Sequence, residues 1–410
     1  MLELKNEVTR GQGVADLRCV NLAWARANLT RLEAEAQDGS PDKMSLLGLA
    51  HLELGNSNEA VKCCQRAFDQ SRSYTNTRNL AVALFEADRI ADGIDFLKAN
   101  YQQFADRNER LTLAGLLVNV MKSQGRWTEA CRIIEPFAEG KQTVPLWRGK
   151  DCKDLFFVCG GLGDFVLFSR YIPELQKRGV YPAIRLDKIK PLYEVFLKQP
   201  WCSVRDEDQR VAHDRVTHWT CGSNIFEFIG VDGTKPETVQ NFPSQKWQAD
   251  PELAARTRES LLQQAGGKRL VGICDQAAEN ELSEFAGIRC RSLTPRRTAR
   301  LISSVPNVCW VNLHPQKLDL PGVLNPRNDS IEMLMALIDA CDQIVSVDTF
   351  AAHLAGAMYK PVLALLNAHP YWYFYGQRQS VFYPTMELLG RTKSGLDGAI
   401  DEAITVLKQL

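Results

Sequence analysis

No stretch of the 410-residue chain is apolar over the length that a membrane span requires. The longest apolar runs, around Asp154–Val158 and over Lys360–Leu366, have strand length. Neither charge sign is in excess. The 49 Lys and Arg match 49 Asp and Glu, which removes any overall bias toward nucleic acid or an anionic membrane. A local basic patch stays open. Twelve cysteines are present, but no two form a C-x-x-C pair. Cys63 and Cys64 are adjacent and the rest are scattered, which argues against structural zinc and for free thiols in a reducing compartment. G-x-S-x-G and P-loop patterns are also missing, so a hydrolase elbow or a Walker-type site is not expected. The opening residues Met1–Glu7 carry charges where a secretory leader would be apolar. A cytoplasmic location is the expectation.

The chain is too long for one ordinary core, so two or three domains are expected. Its 45% hydrophobic and 24% charged residues are those of a globular protein. The first third reads as helix. Leu46–Ala60 and Val61–Phe68 place apolar and small residues at helical spacing on either side of a turn at Gly55-Asn56. The pattern returns over Asn79–Leu97, with a turn at Asp88-Arg89, and over Leu111–Ile134, with a turn at Gly125-Arg126. Gly48 and Ala50 allow close packing in one helix; Ala60, Ala67 and Ala130 do so in its partners. The turns are about 33 and 37 residues apart, and this stretch resembles tetratricopeptide repeats, whose period is roughly 34. Met1–Gln37 supplies a further helix or cap. Pro136 and Gly140–Gly149 are expected to end the helical region, giving a repeat domain over residues 1–145.

The pattern then changes. Asp154–Val158 is β-prone, Gly160–Asp164 is a glycine-rich turn, an amphipathic helix runs to Lys177, and Tyr181–Leu186 is the next strand. A second alternation follows: strands at Arg269–Cys274, Val308–Leu313, Gln343–Val347 and Pro361–Leu366, with a helix at Thr349–Met358. Polar, proline-containing Asp232–Pro251 reads as a linker. Alternating strands and helices imply parallel sheets. The expected architecture is therefore two Rossmann-like lobes, 150–265 and 266–410, with a ligand cleft at the carboxyl ends of the strands.

Two segments carry chemistry. In the first, Gly160, Gly161 and Gly163 let a ligand approach the backbone and leave open N–H groups at a helix start. One reading is dinucleotide binding through Gly161-x-Gly163-x-x-Val166, with Asp187 as the ribose acid, although the third small residue is missing. The other is an acceptor loop in which Asp164 acts as general base on a hydroxyl. Asp164 also suits plain helix capping. In the second segment, a buried strand ends at Ser346-Val347-Asp348-Thr349. The small-residue helix after it offers N–H groups and a dipole to a diphosphate, with the Thr349 hydroxyl as a further donor. His353 follows one turn later on the same face. A capped helix with a satisfied histidine is the alternative.

Together, Gly-Gly-x-Gly-Asp and Ser-Val-Asp-Thr-x-x-x-His-Leu-Ala-Gly-Ala resemble glycosyltransferase family 9, the heptosyltransferase-like family. Bacterial proteins that join tetratricopeptide repeats to such a domain look most similar, and the tail Phe382–Leu389 is similar to their ending. The resemblance implies a GT-B fold and a metal-independent, inverting transfer from a nucleotide-diphosphate sugar, with no cofactor. It assigns Asp164 as base, Asp348 to donor sugar hydroxyls and Thr349 to the donor phosphate, with Ser346 and His353 beside them. Arg291, with Arg289, Arg296 and Arg297, is a candidate for steadying the leaving diphosphate, and a solvated basic patch is the other reading. Asp275 and Glu279 depart from the pattern, since they would repel a diphosphate unless they point away. The aromatic run His369–Tyr375 also departs, as a stacking surface or as packing. Asp206-Glu207-Asp208 reads as a solvated turn. His213 and His218 lack the partners of a metal site.

The leading expectation is a glycosyltransferase whose repeats recruit a protein acceptor or further copies of the chain. A catalytically inactive scaffold and a nicotinamide-dependent enzyme are the alternatives.

Overall fold

The computed structural model describes residues 22–138, 154–158, 161–184, 190–202, 218–221, 225–242, 245–277, 291–367, 378–390 and 395–409. The described residues fall into two compact units, one ending at Val120 and the other starting at Met121.

The helical part begins with α1 (Leu22–Glu35) and continues as hairpins: α2 (Pro41–Glu53) with α3 (Ser57–Gln70), α4 (Tyr74–Glu86) with α5 (Ile90–Asn100), and α6 (Arg107–Ser123) with α7 (Trp127–Ala138). The three expected turns are where the hairpins bend. Gly55, Asp88 and Gly125 occupy one conformational slot, with φ of 78°, 61° and 75°. Asp88 holds a left-handed conformation that costs a side-chain-bearing residue about 1 kcal/mol, and Asp tolerates it better than most. Small residues set the approach within the hairpins. A Cβ on Gly48 would lie 2.5 Å from Cys64 Sγ, and one on Gly93 would lie 2.4 Å from the Phe85 ring. Pro136 stands inside the last turn of α7, which runs to Ala138, and Gly140–Gly149 lie outside the described residues. In a last turn, proline sacrifices only one backbone bond.

The second unit contains two parallel sheets. The first is three-stranded, in the order β2-β1-β3, from β1 (Asp154–Val158), β2 (Tyr181–Ile184) and β3 (His218–Cys221). Its helices are α8 (Leu162–Ser169), α9 (Ile172–Lys177), α10 (Lys190–Leu197), α11 (Ile225–Ile229) and α12 (Pro236–Gln240). After α13 (Pro251–Ala265) comes the six-stranded sheet, in the order β6-β5-β4-β7-β8-β9. It comprises β4 (Arg269–Cys274), β5 (Val308–Asn312), β6 (Val323–Leu324), β7 (Gln343–Val347), β8 (Val362–Leu365) and β9 (Met386–Leu389), with α14 (Pro295–Ser303), α15 (Ile331–Ala340), α16 (Phe350–Ala357) and α17 (Gly395–Leu407). The fold class is the expected one: helical hairpins, then two α/β lobes with parallel sheets.

The second sheet is buried on both faces, which is why its strands read as continuous apolar runs. Ile344, Val362 and Ala364 belong to the core shared with the first lobe, while Val345, Val347, Leu363 and Leu365 pack under α14 and α17. Two expectations about the first lobe are corrected. The helix to Lys177 is two helices broken at Arg170-Tyr171, because Pro173 at the start of α9 has no N–H to continue the ladder. The linker Asp232–Pro251 contains α12, and its Trp247 is 1% exposed. Trp247 donates its backbone N–H to Ala357 O at 3.1 Å, which fastens this segment to the end of α16.

Candidate functional site

The site forms where β7 ends and α16 begins. Thr349 is the N-cap of α16, with extended backbone (φ −140°, ψ 167°), and its Oγ1 accepts the Ala352 N–H at 3.3 Å. Ser346 Oγ donates to Val347 O at 2.8 Å and lies 2.8 Å from Thr349 Oγ1. Either oxygen of this pair can donate to the other. The open N–H groups of the first turn of α16 are further donors facing an anion there. Thr349 thus caps α16 while keeping a hydroxyl proton, and the fully buried Ser346 lies beside it.

Asp348 is 7% exposed. Arg291 Nη1 lies 3.3 Å from its Oδ2 and donates to its backbone carbonyl at 3.4 Å. Burial raises the Asp348 pKa, Arg291 works in the opposite direction, and the Asp164 carboxylate adds to the rise. The structure thus brings Asp164, Asp348 and Arg291 into one electrostatic group.

Asp164 stands in the first turn of α8 but is not its cap. That position is Gly161, which makes no side-chain cap bond. Space over Gly161 is open, with nothing within 4 Å of where a Cβ would be. Over Gly163 it is filled: a Cβ there would lie 2.8 Å from His353 Cδ2 and 3.4 Å from Nε2. His353 is 3% exposed, and its Nδ1 lies 3.1 Å from the Tyr383 hydroxyl. Burial, helped by the positive charges of Arg170 and Arg291, lowers its pKa to about 3, so the imidazole is neutral. Burial likewise raises the Tyr383 pKa.

Of the four candidate arginines, Arg291 is in the site. Arg297 instead pairs with Asp397 of α17 at 2.5 Å, and Arg289 lies outside the described residues. Asp275 is held by α14. It is 4% exposed, and its Oδ2 accepts the Thr298 hydroxyl of α14 at 2.7 Å. Gly160, Asp187, Asp206–Asp208, His213, Glu279 and His369–Tyr375 also lie outside the described residues. Cys274, at the end of β4, is a buried thiol with its pKa raised to about 11. Cys63, Cys64, Cys131, Cys202, Cys274, Cys309 and Cys341 are free, Cys63 and Cys202 being partly exposed. Among the described residues, no three His, Cys, Asp or Glu side chains are grouped to hold a metal ion, and no helix is long and apolar enough to cross a membrane. Sequence reasoning missed Arg170. The signal available was Pro173, which breaks the helix just after it.

Residues 326–382 match the family Glycosyltransferase family 9 (heptosyltransferase). That stretch contains Ser346, Asp348, Thr349 and His353, and it supports a glycosyltransferase. No curated protein matches the chain. Among solved structures, the E. coli heptosyltransferase WaaC with ADP-2-deoxy-2-fluoro heptose aligns at 11% identity and a TM-score of 0.34, over 62% of this chain and 98% of that one. A Thermobaculum terrenum O-GlcNAc transferase variant aligns at 12% identity and a TM-score of 0.30, over 100% of this chain and 91% of that one.

Proposed function

We propose that the chain is a glycosyltransferase that moves a sugar from a nucleotide-diphosphate donor to an acceptor hydroxyl, with inversion and without a metal ion. The observation that carries this reading is the meeting of the two motif segments: Gly163 of the Asp164 turn seats His353 of the α16 turn. Asp164 is the general base, placed at the start of α8 beside an open Gly161. The start of α16 holds the leaving diphosphate, with Arg291 near it and Asp348 facing the donor sugar. Residues 150–265 form the acceptor lobe and 266–410 the donor lobe. Residues 1–145 form a tetratricopeptide-like domain that recruits a protein acceptor or partner, or further copies of the chain.

The Thr298–Asp275 bond weakens the case for an inactive scaffold, since that carboxylate is held by α14. The His353 ring over Gly163 stands where a dinucleotide would need its close backbone approach, so nothing here favours a nicotinamide enzyme. The test is a thermal-shift panel of UDP, GDP, ADP and CMP, their sugar conjugates and NADH. A shift with one nucleoside diphosphate and its sugar conjugate, lost on Asp348→Ala, is the expected result. A shift with NADH alone, or none at all, overturns the reading.

A further inference from the structure

The helix carrying Asp164 stops at Ser169, and in the gap before α9 the Arg170 side chain turns inward until it is 4% exposed. Its Nε donates to Leu167 O at 3.1 Å and its Nη1 to Phe382 O at 2.8 Å. Nη2 has no hydrogen-bond partner, and neither has the neighbouring Tyr171 hydroxyl. Among the described residues, no carboxylate pairs with this guanidinium. It lies instead among three rings, 5.2 Å from the centroid of Tyr383, 5.7 Å from Phe382 and 6.0 Å from Tyr171. Ring faces and carbonyls offset part of the cost of burying a cation, but an unpaired buried charge remains expensive. A fold that keeps one next to its candidate site gains something from the charge itself.

The charge reaches the middle of α16. Tyr383, under the guanidinium, is hydrogen-bonded to His353, which is one helical turn along from Thr349. Arg170 contributes to the depression of the His353 pKa, so its potential is felt on α16. Among the described residues, the charges acting on Asp348 are the carboxylate of Asp164 and the guanidinium of Arg291. Counting those described groups with Asp348 itself, two carboxylates stand against one guanidinium before Arg170 is added.

We propose that Arg170 supplies the positive potential that lets the start of α16 bind a diphosphate, acting through space as the buried cation whose counter-ion is the nucleotide. The proposal rests on the donor-site reading above. Its test compares the full-length chain with Arg170→Met and Arg170→Lys by calorimetry, using UDP, GDP, ADP and CDP, each against its uncharged nucleoside. Removing the charge in Arg170→Met is expected to weaken the diphosphate about tenfold and leave the nucleoside within about twofold. Arg170→Lys, which keeps the charge, should retain most of the diphosphate affinity. Equal losses for diphosphate and nucleoside mean a purely structural role and overturn the proposal, as does a Met variant that binds like wild type. If the Met variant does not fold, Arg170→Lys decides: a tenfold loss of diphosphate alone from a variant that keeps the charge sinks the idea. A wild-type chain that binds no nucleoside diphosphate brings down the donor-site reading itself, a different outcome from wild-type binding that the substitutions leave unchanged.

Discussion

The ring of His353 occupies the space where Gly163 would carry a side chain, with Cδ2 only 2.8 Å from the ideal Cβ position. The glycine at the start of α8 therefore makes room for a residue of α16. Gly163→Ala is expected to lower stability by about 1–3 kcal/mol, as overpacking does, and to reduce turnover. His353→Ala should relieve the clash. In a double-mutant cycle the two substitutions should be strongly non-additive, with the pair more stable than the sum of the singles. Additive effects in chemical denaturation would mean that the two helices do not meet in solution as they do here.

Asp164 sits in the first turn of α8, and its carboxylate influences Asp348. If it is the base, Asp164→Asn should cut turnover by about 10²–10⁴-fold while leaving the affinity for the nucleoside diphosphate within about twofold. Single-turnover rates and calorimetry on the same preparation check both halves. A rate near wild type removes the base role.

The second lobe was legible because its strands are unbroken apolar runs; Arg269–Cys274 and Gln343–Val347 begin and end as the sequence suggests. The hairpin turns were legible because glycine, or Asp88 in its place, marks a left-handed residue. The short-range logic of Asp348-Thr349 followed by small residues located the start of α16. What could not be read locally depends on packing between lobes. The partner of Gly163 is a residue of the distant helix α16, and the inward turn of Arg170 depends on Phe382 and Tyr383 beyond β8. The direction of the Asp275 side chain was equally hidden, because Thr298, which binds it, lies on a helix that the sequence does not register against β4.

Thr349 ties Ser346 and Ala352 together, its hydroxyl 2.8 Å from that of Ser346. Thr349→Val should then cost about 1 kcal/mol of stability, the usual value of a lost cap, and weaken diphosphate binding by no more than a few-fold. Thr349→Ser should restore both. Binding lost by two orders of magnitude at near-normal stability would show that the hydroxyl turns outward to the phosphate.

The neutral His353 makes a pH prediction whose sign is fixed. Its pKa is about 3 in the fold, against an ordinary value of 6.5. Between those values the unfolded chain binds a proton that the native chain does not, so stability falls as pH falls through this window, by up to about 1.4 kcal/mol per unit. Asp348, whose pKa is raised in the fold, contributes in the opposite sense just above its ordinary value of 3.8. Denaturation at pH 7, 6 and 5 should show a shallower loss for His353→Gln than for wild type. Identical slopes would mean that the imidazole reaches water.

Within the second unit, Trp127 at the start of α7 packs between the two lobes, and this carries a prediction about stability. Trp127 is 2% exposed and donates its Nε1–H to Lys122 O at 2.8 Å, which fixes the ring at the start of α7. One side of it meets Phe226 of the first lobe at 4.6 Å between centroids, and it stacks on Phe382 of the second lobe at 5.5 Å and 21°. The turn before it is equally tight: a Cβ on Gly125 would lie 2.3 Å from Gly233 O. One indole thus touches α7, the first lobe and the second lobe, next to the carbonyl of Phe382 that holds Arg170. Trp127→Ala should cost about 3–5 kcal/mol, the range for emptying a large aromatic site, whereas Trp127→Phe should recover most of it. The loss should appear in the unfolding of the α/β unit and in nucleotide affinity together, because Phe382 then loses a stacking partner while carrying the Arg170 bond. Loss of stability with unchanged affinity would confine Trp127 to packing and separate the aromatic stack from the donor site.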